Sequence, residues 1–567
     1  MISMDYKKLF SDVLLDIIDL DLDKINSEIK QPINPEHGDL SFPVFELSKK
    51  QKKIPNVLAE EISQKLSSKY FSFSSINGYI NAKIKTSFLI KETIKEAIEK
   101  KENFGKINLD NNLYVIDTFN ANPLKMLHIG HLRNIVTGDF VHNILKFVGA
   151  DSKPISYGGD IGTHVVKWYW YYKKLPENEK IIPKKDVSKW FGNIYLKAGI
   201  LFEEDKEKHK EEINQLQIEI MNNPSLQKEI KYLAIESQKA YNKIGEELSI
   251  TIDSGFLESE AEIKFNEIRE ELFKKYKDLF IESEGAIVAD LKDKELGYFI
   301  IIKNNGALLY GAKDISLLKL KQERYPSLKN FIYVIASEQD FYLKQLFKLF
   351  SIIYPDTNHY HVSHGLINTS EGKMKSREGG HFLYEDFRDE IFVNVKKKLI
   401  ENGLLENEEI IKEISFGVMK FEMLKTNLNK NIVFDISQAL DFQGDTSPYV
   451  QYSGVRAKSI LRKVDFQDSF LNNLDYNYSF EKEEHLLALK INDFKEKVIL
   501  AYNGYKSHIL VNYTLELAHI FNKFYTTCPV LVEDEKIKNT RLFLIKSFLI
   551  TLENALNILG IKIPEKM

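Results

Sequence analysis

Residues Val115–Asp139 read VIDTFNANPLKMLHIGHLRNIVTGD, and no other stretch restricts the fold as tightly. Val115, Ile116 and Phe119 form the short apolar run of a buried strand, which Asn120, Asn122 and Pro123 break. His128, Ile129, Gly130 and His131 follow; Leu132, Ile135 and Val136 then recur at helical spacing, continuing through Val141, Ile144, Leu145 and Val148. Strand, polar turn, two histidines about a glycine, then helix is the entry to a nucleotide-binding α/β unit, where N–H groups at a helix N-terminus face phosphate. Two imidazoles so spaced can donate hydrogen bonds to oxygens whose charge grows in a phosphoryl-transfer transition state. Gly130 removes a side chain where a nucleotide must come close. Alone, such a run also fits a helix start with two surface histidines, so the rest of the chain must decide.

The chain has 567 residues, 43% of them hydrophobic, enough for about three or four domains. No run of about 18 or more apolar residues predicts a membrane span, and Asp5 with the lysines of MISMDYKKLF argues against a secretory leader. The single cysteine, Cys528, excludes an intrachain disulfide and a multi-cysteine zinc site, and reads as a packed residue. These features predict a cytoplasmic protein. A net charge of −4 and a pI near 6.4 do not announce nucleic acid, but a local basic face can still bind it.

Residues 1–105 read as an α+β unit. It has an amphipathic helix over Tyr6–Leu20, a turn-rich stretch QPINPEHGDLSFPVF (Gln31–Phe45), a helix over Val57–Leu66 and a strand over Ile76–Ile84. Residues 106–385 carry the chemistry. SYGGDIGT (Ser156–Thr163) is a tight glycine loop, and a helical tract from His164 to about Leu248 follows. Its WYWYYKK run (Trp168–Lys174) reads as a buried helix face with snorkelling lysines, in preference to a platform for single-stranded RNA.

In GALLYGAKDISLL (Gly306–Leu318), Tyr310 and Asp314 are four apart and would share a helix face. A carboxylate there can take a guanidinium in a forked, bidentate way, or simply cap the helix. Ile332–Ala336 is a buried parallel strand, and Gln339 sits just past its end, where open α/β sheets bind ligands. HVSHGLINTSEGKMKSREGG (His361–Gly380) sets Lys373, Lys375 and Arg377 among glycines, as suits a loop closing over a triphosphate. His361 and His364 read as structural. From 386 to 567 the pattern is almost all helical, a bundle in which Phe521 and Phe524 belong to the core.

HIGH preceded by Asn-Ala-Asn-Pro, together with GKMKSREGG, resembles the paired signatures of class I aminoacyl-tRNA synthetases in their arginyl version. The YVIASEQ segment, Tyr310 with Asp314, the HGD turn with its GYIN strand, and the closing PEKM resemble that family too. The resemblance implies three domains: 1–105 contacting tRNA, a Rossmann-type parallel-sheet catalytic domain over 106–385 with a helical insertion, and an all-α anticodon-binding bundle over 386–567. It implies arginine–tRNA ligation, with L-arginine, ATP and tRNA(Arg) as partners, Mg²⁺ accompanying ATP without a dedicated protein site, no membrane, and a monomer. Carried over residue by residue, catalysis falls to Lys125, His128, His131 and Lys373, and ATP binding to His128, Gly130, His131, Lys373, Met374 and Lys375. Arginine binding falls to Asp117, where the family commonly has Glu, and to Asn122, Tyr310, Asp314 and Gln339. Contact with tRNA falls to Asp39, Phe42 and Tyr513.

GKMKSREGG lacks the usual second lysine in register. Family members without it carry a lysine just before HIGH, where Lys125 stands, and Lys375 in a shifted register is the competing candidate. The family generally requires bound tRNA for amino-acid activation. A HIGH-type nucleotidyltransferase acting on a small molecule would need no long helical C-terminus. A non-catalytic RNA-binding paralogue would not need His128, His131 and Lys373 intact.

Overall fold

The computed structural model describes residues 5–292, 295–369, 383–401, 403, 407–464, 466–468, 471 and 474–567. Lys373, Met374, Lys375 and Arg377 lie outside the described residues. By contacts the chain forms two units, one of Met1–Phe104, Arg456–Phe494 and Glu516–Asn554, the other of Gly105–Val455, Lys495–Leu515 and Ala555–Met567. Among the described residues no helix is long and apolar enough to cross a membrane.

In the first unit, strands β1 (Leu40–Pro43), β2 (Phe71–Ile76) and β3 (Tyr79–Ile84) form an antiparallel sheet in the order β1-β3-β2. The stretch expected as one strand over Ile76–Ile84 is instead the end of β2, a turn, and β3. Asn77 and Gly78 have φ of 53° and 78°, the paired left-handed residues of a tight hairpin turn whose twist matches its strands. The first helix is shorter than expected, Tyr6–Leu15, and a second, Leu22–Glu28, starts behind the Asp21 cap. Later helices complete this unit's core: Phe521 stacks on Phe548 with centroids 3.9 Å apart, and Phe521 and Phe524 are fully buried, as expected.

The second unit is built on a parallel sheet. Strands β4 (Leu113–Phe119), β5 (Asp151–Gly158) and β6 (Ser254–Leu257) run outward in one direction. A separate antiparallel sheet of β7 (Phe280–Ser283), β8 (Ala286–Asp290) and β9 (Tyr298–Ile302) intervenes. Strands β10 (Asn330–Ala336) and β11 (Asn358–His364) then return on the other side of β4, giving the order β11-β10-β4-β5-β6. The direction of winding reverses between β4 and β10, so ligands are expected beyond the carboxyl ends of these two strands.

Alternation along β4 decides which helix meets which residue. Thr118 Oγ1 donates to Asn134 O (3.1 Å) of α1 (Ile129–Phe147), and a Cβ on Gly138 of that helix would fall 1.7 Å from Thr118 Oγ1. Val115 and Asp117 face the other way. The insertion comprises α2 (Thr163–Lys174), α3 (Val187–Glu204), α4 (Lys206–Asn222) and α5 (Pro224–Glu247). Trp168, Tyr169, Trp170 and Tyr172 are buried in its core, and Trp168 Nε1 donates to Phe191 O at 2.9 Å. The aromatic run is therefore packing, as expected. Helices α6 (Glu258–Lys275), α7 (Tyr310–Arg324) and α8 (Asp340–Ile353) add Phe265, Ile315, Leu318, Leu346 and Phe350 to the core that also holds Val115, Ile155 and Phe331.

Candidate active site

The site grows from the first turn of α1. His128 is its N-cap, and its Nδ1 accepts from Gly130 N (3.1 Å), while His131 Nδ1 accepts from His128 N (3.2 Å). A ring nitrogen that accepts a backbone N–H carries no proton, so each neutral imidazole bears its proton on Nε2. The two rings lie 3.8 Å apart, centroid to centroid. A Cβ on Gly130 would fall 2.9 Å from the His128 ring, so this glycine makes room for the imidazole. The sequence had suggested room for nucleotide alone.

Beyond the strand ends, loops bring a second set of groups together. A Cβ on Gly159, just after β5, would fall 2.7 Å from Asn122 Oδ1 and 2.8 Å from Glu258 Oε2, so the exposed Asn122 and the buried Glu258 both flank that backbone. Glu258 pairs with Lys313, the neighbour of Asp314 on α7. Asp160 accepts from Ser259 N (2.8 Å) and Oγ (2.6 Å), tying the loop after β5 to the start of α6. His164 Nε2 donates to Gly159 O (3.0 Å); burial and then the nearby Lys125 push its pKa down to about 4, so it is neutral.

Asp314 receives a hydrogen bond from the Tyr342 hydroxyl, and burial raises its pKa to about 6. Tyr310 opens α7 one turn away and is 68% exposed. Gln339 is exposed in the short 3₁₀ turn Ser337–Gln339 directly after β10. Asn122, Gly159, Glu258 and Gln339 thus all follow carboxyl ends of parallel strands.

Asp117 has a different setting. It is buried in mid-strand, and its Oδ2 lies 2.5 Å from Lys321 Nζ of α7, so its charge is already compensated within the fold. Lys125 is half-buried with its ammonium 5.3 Å from the Tyr195 ring centroid, and burial lowers its pKa. His364 Nδ1 donates to Gly365 O at 3.0 Å and its Nε2 is hydrogen-bonded to the Asn134 side-chain amide; burial lowers its pKa to about 4, so a single ring nitrogen carries the proton; His361 Nε2 donates to Ile335 O at 3.0 Å. Both are structural, as expected.

Three residues expected to touch nucleic acid are occupied or hidden. Phe42 is fully buried, Tyr513 is 1% exposed, and Asp39 binds His485 Nε2 (3.0 Å) and Ile84 N (2.7 Å). In this conformation neither ring offers a face to a base, because both fill the interiors of their units. Sequence reasoning missed Glu258, Lys313, Tyr342 and Lys321. The four-residue β6, SGFL, carries too weak an apolar run to mark Glu258 as a strand-end residue.

Comparison with known proteins follows the same lines. The family model of tRNA synthetases class I (R), catalytic domain, matches residues 93–436. That of the arginyl tRNA synthetase N terminal domain matches 4–84, and that of the DALR anticodon binding domain matches 450–567. The chain is 32% identical over 574 residues to an arginine–tRNA ligase of Clostridium kluyveri, and 32% identical over 575 residues to one of Clostridium perfringens, covering 100% of both chains in each case. Its fold is that of the arginyl-tRNA synthetases of Thermus thermophilus (TM-score 0.77, 23% identity) and Plasmodium falciparum (TM-score 0.76, 19% identity), with 100% of each chain covered. Signature, sheet-edge site and full-length similarity agree: the chain belongs to the arginyl-tRNA synthetase family of class I.

Proposed function

We propose that the chain joins L-arginine to tRNA(Arg) at the expense of ATP, using the site at the carboxyl ends of β4, β5, β6 and β10. The observation that carries this reading is the pairing of two Nε2–H donors at the start of α1 with a half-buried carboxylate, Asp314, on the α7 face beside the same sheet. In the first step an arginine carboxylate oxygen attacks the α-phosphorus of ATP. The bond to the β-phosphate breaks and pyrophosphate leaves. His128 and His131 donate Nε2–H to oxygens that gain charge as this happens. Lys125 and Lys373 are assigned to neutralising the departing phosphates, and Gly130, Met374 and Lys375 to binding the nucleotide. In the second step a terminal ribose hydroxyl of tRNA attacks the arginyl carbonyl carbon and AMP leaves.

Asp314 takes the guanidinium, with Tyr310 at the mouth of the slot; Asn122 and Gln339 hold the amino-acid head group or the guanidinium plane. Asp117 acts from beneath, as part of the acidic wall that Lys321 balances. Among the described residues no three His, Cys, Asp or Glu side chains converge on a metal position. The donors to Mg²⁺ would be phosphate oxygens and water, where it would neutralise charge. Residues 1–105 and 386–567 supply the tRNA contacts. The reading needs no second subunit, and a single cysteine suits the cytoplasm.

A charging assay with arginine, lysine and citrulline against tRNA(Arg) tests the reading: arginine alone should be esterified. Equal charging of citrulline, which lacks the cation, would remove Asp314 from its role. Pyrophosphate exchange without tRNA should be absent.

A further inference from the structure

The turn Asn122–Met126 joins β4 to α1 and carries both Asn122 and Lys125, yet its backbone is strained. Leu124 has φ of 67°, a left-handed conformation that a residue with a side chain adopts only where neighbours enforce it. Those neighbours come from the helical insertion. Leu124 N donates to Ser237 Oγ of α5 at 2.8 Å, and the Leu124 side chain sits in the aromatic core of the insertion. The Tyr241 hydroxyl, one turn along α5, bonds Asn122 O (3.2 Å) and Lys125 O. On α3, a Cβ at Gly192 would fall 1.8 Å from Met126 Cγ, so α3 presses directly on the turn. Three residues further, Tyr195 lies under the Lys125 ammonium at 5.3 Å. Among the described residues no carboxylate pairs with that ammonium. A half-buried cation held on an aromatic face, with no anion of its own, is prepared for an incoming one.

We propose that the insertion is the device that positions the catalytic turn, with Tyr195 holding the Lys125 ammonium for the triphosphate and Ser237 and Tyr241 holding the turn that presents Asn122. Tyr195, Ser237 and Tyr241 are positioning residues: they touch the substrate-binding groups and act through them. A tyrosine face restrains the ammonium without neutralising it, as a carboxylate would do, and the full positive charge is kept for phosphate. The proposal deepens the reading of Lys125 given above and depends on it.

The test is steady-state aminoacylation by the full-length chain with saturating tRNA(Arg), for Tyr195→Phe, Tyr195→Leu, Lys125→Ala and the double variant Lys125→Ala/Tyr195→Leu. Tyr195→Leu should lower kcat about tenfold with KM for arginine within about twofold of the parent. Tyr195→Phe, which keeps the ring face, should stay within about twofold of the parent. The double variant should be no slower than Lys125→Ala, since the ring then has no cation to hold. Equal losses in the Phe and Leu variants, or a Tyr195→Leu effect that persists undiminished in the Lys125→Ala background, would overturn the positioning role. A neutral Lys125→Ala would instead overturn the assignment of Lys125 itself. Tyr241→Phe adds a second arm: freeing Asn122 O and Lys125 O should raise KM for arginine and lower kcat together at an unchanged melting temperature, and a change in melting temperature alone would count against the proposal.

Discussion

Lys321 Nζ lies 2.5 Å from Asp117 Oδ2, and the two residues are 1% and 4% exposed. The ammonium also sits 5.3 Å from the Tyr333 ring centroid, while Asp117 Oδ1 has no hydrogen-bond partner among the described residues. Burial holds the Asp117 carboxyl above the usual carboxylate range, and Lys321 pulls it partly back. Removing the lysine leaves a buried carboxylate uncompensated. Lys321→Met should therefore lose about 3–5 kcal/mol of stability near neutral pH. The loss should shrink on acidification, because a protonated Asp117 needs no cation. Denaturant unfolding at pH 7 and pH 5 measures both, and Asp117→Asn/Lys321→Met should recover most of the loss. An equal penalty at the two pH values would contradict this account.

With Asp314 as the proposed guanidinium ligand, arginine binding should depend on pH. Burial raises its pKa from 3.8 to about 6, and only the carboxylate form attracts a guanidinium. Below about pH 6 the apparent KM for arginine should rise, approaching about tenfold per pH unit. Asp314→Asn should bind arginine weakly and lose that pH dependence. The effect on folding has the opposite sense. An acid whose pKa is raised in the folded state binds its proton there first, so its contribution is fully present below pH 3.8 and is lost as pH rises through about 6. Arginine KM profiles from pH 5 to 8 in both proteins check the prediction.

The outline of this site was legible in the sequence because its main parts lie within short stretches. Strand, turn and HIGH helix are contiguous, and Tyr310 with Asp314 share one helix, so periodicity places them on their elements, while the resemblance to the family marks them as a site. The parallel sheet followed from apolar runs such as Ile332–Ala336. What was hidden depends on distant pairing. Nothing in the local pattern of α7 says that Lys321 neutralises a residue 204 positions earlier, or that Glu258 would claim Lys313. The Asn77-Gly78 hairpin was legible from its turn chemistry and was read through as strand. The burial of Phe42 and Tyr513 was not legible, because an aromatic on a short strand or helix looks the same whether its outward face is solvent or another element.

Asp39 shows what such hidden pairing does to a functional reading. Its Oδ2 accepts from the buried Ile84 N at 2.7 Å and its Oδ1 lies 3.0 Å from His485 Nε2, whose Nδ1 in turn lies 3.0 Å from Thr86 Oγ1. The carboxylate fastens β3 and a helix about four hundred residues later into one unit. Asp39→Ala should cost about 1–3 kcal/mol for each buried donor left unsatisfied, and His485→Ala less, because the Ile84 bond survives. Thermal melts rank the two. A tRNA contact by Asp39 would show the reverse, a raised KM for tRNA at an unchanged melting temperature.

Arg133 connects the signature helix to a remote part of its own unit. Its guanidinium is fully buried; Nη1 donates to Gly365 O (2.5 Å) and Leu366 O (3.3 Å), and Nη2 to Leu428 O (3.2 Å) and Lys430 O (3.1 Å). Burial lowers its pKa only to about 10, so the charge persists at neutral pH. Four carbonyls on two segments are collected by one planar fork, a geometry that an ammonium on a flexible stem cannot reproduce. Arg133→Lys should leave at least one of those carbonyls unsatisfied and lose about 1–3 kcal/mol. Arg133→Met, which also removes the charge but leaves all four acceptors stranded, should be worse. Retention of parental stability by the lysine variant, measured by denaturant unfolding, would mean that charge alone, and not the fork, holds these segments against α1.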